Sequence, residues 1–130
     1  MSTDLNFAII NIDKPSGPTS FWVSQFVKKY LPVSKTANFG TLDPGVSGVL
    51  PVALGRACKL NDFLMKRNKT YVGILRLHKE DVSDKALQEA INSQIGKIEQ
   101  LPPVRSAVKR AVRERHVFSF NVLERKDKLV

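Results

Sequence analysis

The sequence predicts an α+β fold with an antiparallel or mixed sheet and flanking helices. Two observations carry this. Short apolar runs rich in β-branched residues recur at strand length, and two longer stretches repeat their apolar residues at helical spacing behind capping side chains. The two patterns are mixed along the chain, as in α+β architectures. No internal repeat, low-complexity tract or interdomain linker interrupts them.

Phe7-Ala8-Ile9-Ile10-Asn11-Ile12 reads as a strand, ended by the Asp13-Lys14-Pro15-Ser16-Gly17-Pro18 loop with its two prolines and a glycine. Thr19 or Ser20 then caps a helix from Phe21 to about Tyr30, which Pro32 stops. Trp22, Phe26 and Tyr30 fall at helical spacing and are expected in the core. Lys35 to Phe39 reads as a short strand, and Val49 to Leu54 as a buried one. Gly55 separates that run from a helix over about Ala57–Met65, followed by a basic turn at Lys66–Lys69 and a strand over Tyr71–His78. Asp84 to Ile95 forms a helix with Ser83 as cap, Gly96 just past its end, and an apolar stripe of Leu87, Ala90, Ile91 and Ile95. Leu101 to Val108 begins with prolines and cannot start as a helix. Arg115 to Leu123 reads as a strand, Lys126-Asp127-Lys128 as a hairpin turn, and Leu129-Val130 as the start of another strand.

The 130 residues suffice for one compact domain. Against 12 acidic residues stand 21 basic ones, a net charge of +9, which attracts polyanions and above all nucleic acid. One cysteine, Cys58, excludes an intrachain disulfide and reads as a buried structural thiol. One cysteine and two separated histidines give no metal-ligand spacing. No apolar run is long enough to span a membrane, and no signal peptide is visible, so an intracellular protein is expected.

Chemistry concentrates at Gly40-Thr41-Leu42-Asp43-Pro44. Proline restricts the residue before it, so Asp43 is held at a loop exit just ahead of an apolar strand. A carboxylate held that way serves as nucleophile or base. By itself an Asp-Pro in a glycine turn is more often a turn former, and Tyr71 a strand residue.

Four segments in order resemble the TruB/dyskerin-type RNA pseudouridine synthases. Asn11-Ile12-Asp13-Lys14-Pro15-Ser16-Gly17-Pro18-Thr19-Ser20 resembles the first motif of that family, and Gly40 to Gly55 the motif bearing its nucleophilic aspartate. Lys69-Thr70-Tyr71-Val72 is similar to the segment whose tyrosine stacks on the target base. Leu101 to Arg110 resembles the archaeal and eukaryotic branch that works with box H/ACA guide RNAs. The resemblance implies isomerisation of uridine to pseudouridine in rRNA or tRNA, with Asp43 as nucleophile and Tyr71 stacking on the flipped base or moving a proton. It implies no cofactor and no metal, because the base is cut from the sugar and rejoined through carbon without net redox change. Lys14, Asn38, Lys69, Arg105, Lys109 and Arg110 become candidate RNA contacts, and Lys109, Arg110, Arg113 and Arg115 a phosphate-contact stripe. The implied partners are substrate RNA, a box H/ACA guide RNA and small accessory proteins, and no membrane. The implied compartment is cytoplasmic if the source is archaeal and nuclear or nucleolar if it is eukaryotic.

The chain departs from the family pattern at Ala37-Asn38-Phe39-Gly40. Asn38 stands where the family has a histidine, and an amide hydrogen-bonds without titrating. Phe39 adds bulk where a small residue is usual, and Gly45 replaces a position often basic. Family catalytic domains also continue further, through an arginine that pairs with the nucleophile and on to a PUA domain. The sheet is therefore expected to be incomplete, with an edge near Leu129-Val130, in a fragment, a split-gene half or one piece of a two-chain enzyme. A non-catalytic RNA-binding or assembly subunit, and a stand-alone tRNA modifier of the TruB kind, are the alternatives.

Overall fold

The computed structural model describes residues 5–102, 104 and 110–130. The chain divides into two compact units, Met1–Thr70 and Tyr71–Val130.

The first unit is built on a three-stranded antiparallel sheet of β1 (Phe7–Lys14), β2 (Thr36–Asn38) and β3 (Gly48–Gly55), in the order β1-β3-β2. Strand alternation sends Leu50, Val52 and Leu54 to one face and Ala53 to the other. The first face packs with Val23, Val27 and Val33 and with half-buried Ala8, Ile10 and Ile12. The second holds Phe39, Ala53, Ala57 and Cys58, so the cysteine is buried as expected. The β2 ladder stops at Asn38 for a chemical reason. Phe39 N donates to Pro51 O at 2.8 Å, but Pro51 has no N–H to return the bond. The chain is thereby released from the sheet into the Gly40–Pro44 loop.

Helix α1 (Ser20–Tyr30) starts at Thr19, whose side chain accepts from Trp22 N. It ends as Leu31 N donates to Val27 O, with Pro32 beyond. Its buried face is Ser20, Val23, Ser24 and Val27. The aromatic residues expected in the core lie outside instead: Trp22, Phe26 and Tyr30 are all exposed. Small and β-branched residues let the helix lie close on the sheet, where Thr36 Oγ1 donates to Ser24 O at 2.9 Å. The rings have no room beneath and stack along the outer face, with centroids 5.2 and 4.6 Å apart.

The helix expected over Ala57–Met65 is a 3-10 helix, Arg56–Leu60, followed by one α-helical turn, α2 (Asn61–Leu64). No side chain caps either piece, and Gly55 enters the first at φ +57. The backbone beside it is tight, because a Cβ on Gly55 would lie 2.4 Å from Asn6 O.

In the second unit Ser83 caps α3 (Asp84–Asn92) by accepting from Ala86 N. The helix ends three residues before the expected Ile95, in tight turns from Gln94 N to Ile91 O and from Ile95 N to Asn92 O. Of the expected stripe, Leu87 and Ile91 are buried, while Ala90 and Ile95 are exposed. Gly96, at φ +99, turns the chain into β4 (Gly96–Gln100), an element the sequence reading missed. Its antiparallel partner is β5 (Arg113–Val117), in place of the longer strand expected to Leu123. The strand expected over Tyr71–His78 does not form a ladder. Leu75 exchanges bonds with Val130, and Leu77 N donates to Lys128 O, so among the described residues its strand partner is the short segment after the turn. Val72 and Ile74 consequently face solvent. The expected turn at Lys126–Lys128 is present, with Asp127 at φ +54 and reciprocal bonds between Lys126 and Leu129. Arg125 ties this hairpin to the start of α3 through Asp84 and Val82 O, and Lys128 pairs with Glu80.

Candidate active site

The Asp43 loop is fastened from two sides by the segment linking β1 to α1. Pro44 O accepts from Gly17 N at 2.7 Å and from Lys14 Nζ at 3.3 Å. Ser16 Oγ donates to Gly45 O at 3.2 Å. On the other side of Asp43, Ser20 Oγ accepts from Leu42 N at 2.9 Å and donates to Leu42 O at 3.0 Å. Val46 N closes the turn by donating to Asp43 O at 3.0 Å. Both neighbours of Asp43 are thus bonded while its side chain projects into solvent. The carboxylate has no hydrogen-bond or ion-pair partner among the described residues. A positioned acid with unoccupied lone pairs can approach an electrophile without first breaking bonds.

The sequence explains this arrangement. Pro15 and Pro18 stiffen the linking loop, and Gly17 adopts φ +119, a conformation a side chain would resist. Gly40 turns at φ +91 and Gly48 at φ +150, framing the Asp43 segment. The roles of Ser16 and Ser20 were not anticipated beyond helix capping. The density of small hydroxyl residues in Ser16-Gly17-Pro18-Thr19-Ser20 is the signal that could have shown them.

Lys14 was expected to contact RNA, and the structure corrects this. It is fully buried at the end of β1, and its ammonium is spent on Pro15 O at 2.9 Å and on Pro44 O. A side chain enclosed this way cannot present its charge to a phosphate, and its work is to hold the loop. Asn38 is half-buried, its amide donating to Gly40 O, so it too shapes the loop. Lys69 closes the turn after α2 on Met65 O and Arg67 O, both at 3.1 Å, and stays exposed.

In the second unit Tyr71 is 76% exposed, its ring open to a stacking partner. Arg110 is exposed. Arg113 and Arg115 alternate onto one side of β5. Arg105 and Lys109 lie outside the described residues. No group of three or more His, Cys, Asp or Glu able to hold a metal occurs among the described residues, nor a helix long and apolar enough to cross a membrane.

Residues 28–126 match the family model described as TruB family pseudouridylate synthase (N terminal domain). The probable tRNA pseudouridine synthase B of Thermoplasma acidophilum is 44% identical over 130 residues, 97% of this chain and 35% of the relative. The protein of the same description from Thermococcus kodakarensis is 49% identical over 120 residues, 92% of this chain and 35% of the relative. The chain thus spans about a third of the length of the curated relatives it matches. Among solved structures, a chain of a Cbf5-Nop10-Gar1 complex superposes with a TM-score of 0.88 at 44% identity, covering 96% of this chain and 38% of that one. A chain of an H/ACA RNP bound to a substrate RNA containing 2'-deoxyuridine gives 0.82 at 38% identity, covering 96% and 36%.

Proposed function

Since the chain belongs to the TruB family of pseudouridylate synthases, we propose that it carries the nucleophile of an RNA uridine isomerase, with Asp43 in that role and Tyr71 as the ring that receives the flipped base. The observation that carries this reading is the clamp on Leu42, Pro44 and Gly45 that leaves the Asp43 carboxylate exposed and, among the described residues, unpartnered.

The chemistry asks little else of the chain. The carboxylate assists departure of N1 from C1′ of the ribose and holds the intermediate while the base turns. The base then rejoins C1′ through C5. One proton leaves C5 and one is gained at N1, so the isomerisation is redox-neutral. The base must leave its stack to be reached, and an exposed tyrosine offers it a replacement face. The substrate is rRNA or tRNA selected by a box H/ACA guide. Small accessory proteins are the partners, in keeping with the similar chains seen in a Cbf5-Nop10-Gar1 complex and in an H/ACA RNP. The protein acts inside the cell.

The test is tritium release from RNA labelled at C5 of uridine, with guide RNA and accessory proteins present. Wild type releases the label. Asp43→Asn abolishes release while binding RNA within about twofold, because removing one charge at an exposed site changes phosphate attraction little. Equal loss of binding and release refutes the nucleophile assignment. Absence of release in the wild type, with RNA binding retained, favours a non-catalytic RNA-binding or assembly role.

A further inference from the structure

At the other end of β3 from the Asp43 loop lies an open cavity of about 460 Å³, lined by Asn6, Ser34, Lys35, Gly55, Arg56, Cys58 and Lys59. Three of these carry positive charge and none is acidic. Lys35, Arg56 and Lys59 are all exposed, and none forms an ion pair among the described residues. Arg56 has a ring contact, its guanidinium 5.9 Å from the centroid of Phe7. Asp62, in α2 beyond Lys59, pairs with none of the three. Three like charges gathered around one concavity repel one another. A structure that keeps them unpaired is relieved by an anion.

The placement is fixed by the fold. Lys35 precedes β2, and its carbonyl accepts from Gly55 N at 2.8 Å. Arg56 follows Gly55, and its own N–H donates to Asn6 O at 2.6 Å. The ends of three strands therefore converge where the cations stand, and the positive φ of Gly55 turns Arg56 out of the sheet. Among the described residues no aromatic side chain lines the cavity, so it offers no stacking face for a base. Its cations and the Ser34 hydroxyl suit tetrahedral oxyanions.

We propose that Lys35, Arg56 and Lys59 form an anion subsite that receives backbone phosphates of an RNA strand. The identification of the anion as RNA rests on the function proposed above; the site itself rests on the cavity and its charges. Seven residue steps along β3 separate Gly55, at the cavity, from Gly48, roughly 23 Å at strand rise. That exceeds the Debye length of about 8 Å at physiological salt, so this subsite acts on RNA independently of the Asp43 loop.

The experiment measures binding of a 20-nucleotide oligouridylate to the full chain between 50 and 200 mM salt. Neutralising three phosphate contacts on a single strand contributes a slope of about −2 in log K against log salt. The Lys35→Gln/Arg56→Gln/Lys59→Gln variant is expected to lose that much slope, so its affinity falls roughly 16-fold less than wild type across this salt range. A charge-matched variant, Lys79→Gln/Lys85→Gln/Lys126→Gln, is expected to keep the wild-type slope. Equal slopes in the two variants would reduce the cavity to diffuse charge and overturn the proposal, as would an unchanged slope in the first. Should the triple variant unfold by circular dichroism, the single variants Lys35→Gln and Lys59→Gln are each expected to lose about 0.7 of slope, and no loss overturns the proposal. Inorganic phosphate separates the sources of the anion. Saturable shifts of the Gly55 and Arg56 amides with phosphate but none with oligouridylate would assign the site to a free ion and overturn the RNA subsite. If tritium release fails while the slope difference stands, the isomerase reading falls and the subsite survives. The reverse pattern removes the subsite alone.

Discussion

Replacing Lys14 by methionine tests whether the Asp43 loop is held from within. Methionine keeps much of the length and volume of the side chain and removes the ammonium. Pro15 O then loses its described side-chain donor, whereas Pro44 O retains Gly17 N at 2.7 Å. One orphaned, part-buried carbonyl costs about 1–3 kcal/mol, and the longer bond to Pro44 O adds up to about 1 kcal/mol. Relief from burying an ammonium without a carboxylate partner offsets part of this. The net expectation is about 2 kcal/mol, read as a shift of about 1 M in the urea midpoint. Lys14→Ala adds a cavity and is expected to cost about 4 kcal/mol. Under conditions where Lys14→Met is folded, its amide shifts should change at Asp43 and Gly45, and tritium release should fall. The salt slope of RNA binding should not change, since the buried ammonium meets no phosphate. A midpoint equal to wild type would refute the clamp. A reduced salt slope would return Lys14 to the RNA-facing role first expected of it.

Other substitutions test neighbouring parts of the first unit. Gly55→Ala places a Cβ 2.4 Å from Asn6 O at a φ of +57, and a loss of about 2–4 kcal/mol is expected in thermal melts; an unchanged Tm would show that the Asn6 segment yields freely. Ser20→Ala removes the hydroxyl bonded to both Leu42 N and Leu42 O, at about 1–3 kcal/mol. Hydrogen exchange at the Leu42 amide should quicken, and unaltered protection there would contradict the bond. Trp22→Ala deletes an outward ring and should cost no more than about 1.5 kcal/mol, against about 2–5 kcal/mol for the fully buried Leu54→Ala. Similar urea midpoints for the two would place Trp22 back in the core.

Much of the first unit was legible because local rules and tertiary packing agree there. The strand at Phe7, a cap at Thr19 or Ser20, the stop at Pro32 and the buried run to Leu54 each follow from side-chain chemistry close in sequence. Trp22, Phe26 and Tyr30 misled because helical spacing says that residues share a face without saying which face is buried. Ser20, Val23, Ser24 and Val27 share the opposite one and fit the sheet more closely. Tyr71–His78 has strand composition, but a ladder needs a partner of equal length, and composition cannot report one. Conversely, β4 carries Lys97, Glu99 and Gln100, little that marks a strand, and exists through pairing with β5. At the candidate site, the turn that holds Asp43 was legible from its Gly and Pro neighbours. The burial of Lys14 was not, because it depends on a contact with Pro44 thirty positions away.

Trp22 is the one tryptophan of the chain, and it stands 55% exposed on α1 with Phe26 stacked beside it. Its indole is therefore already hydrated in the native fold. Fluorescence will report the melting of the sheet poorly, since the emitter changes surroundings little when the core opens. The same placement makes it a sensitive lamp for whatever comes to lie over the outer face of α1. A blue shift on mixing with another macromolecule would mark that face as covered, with no label introduced.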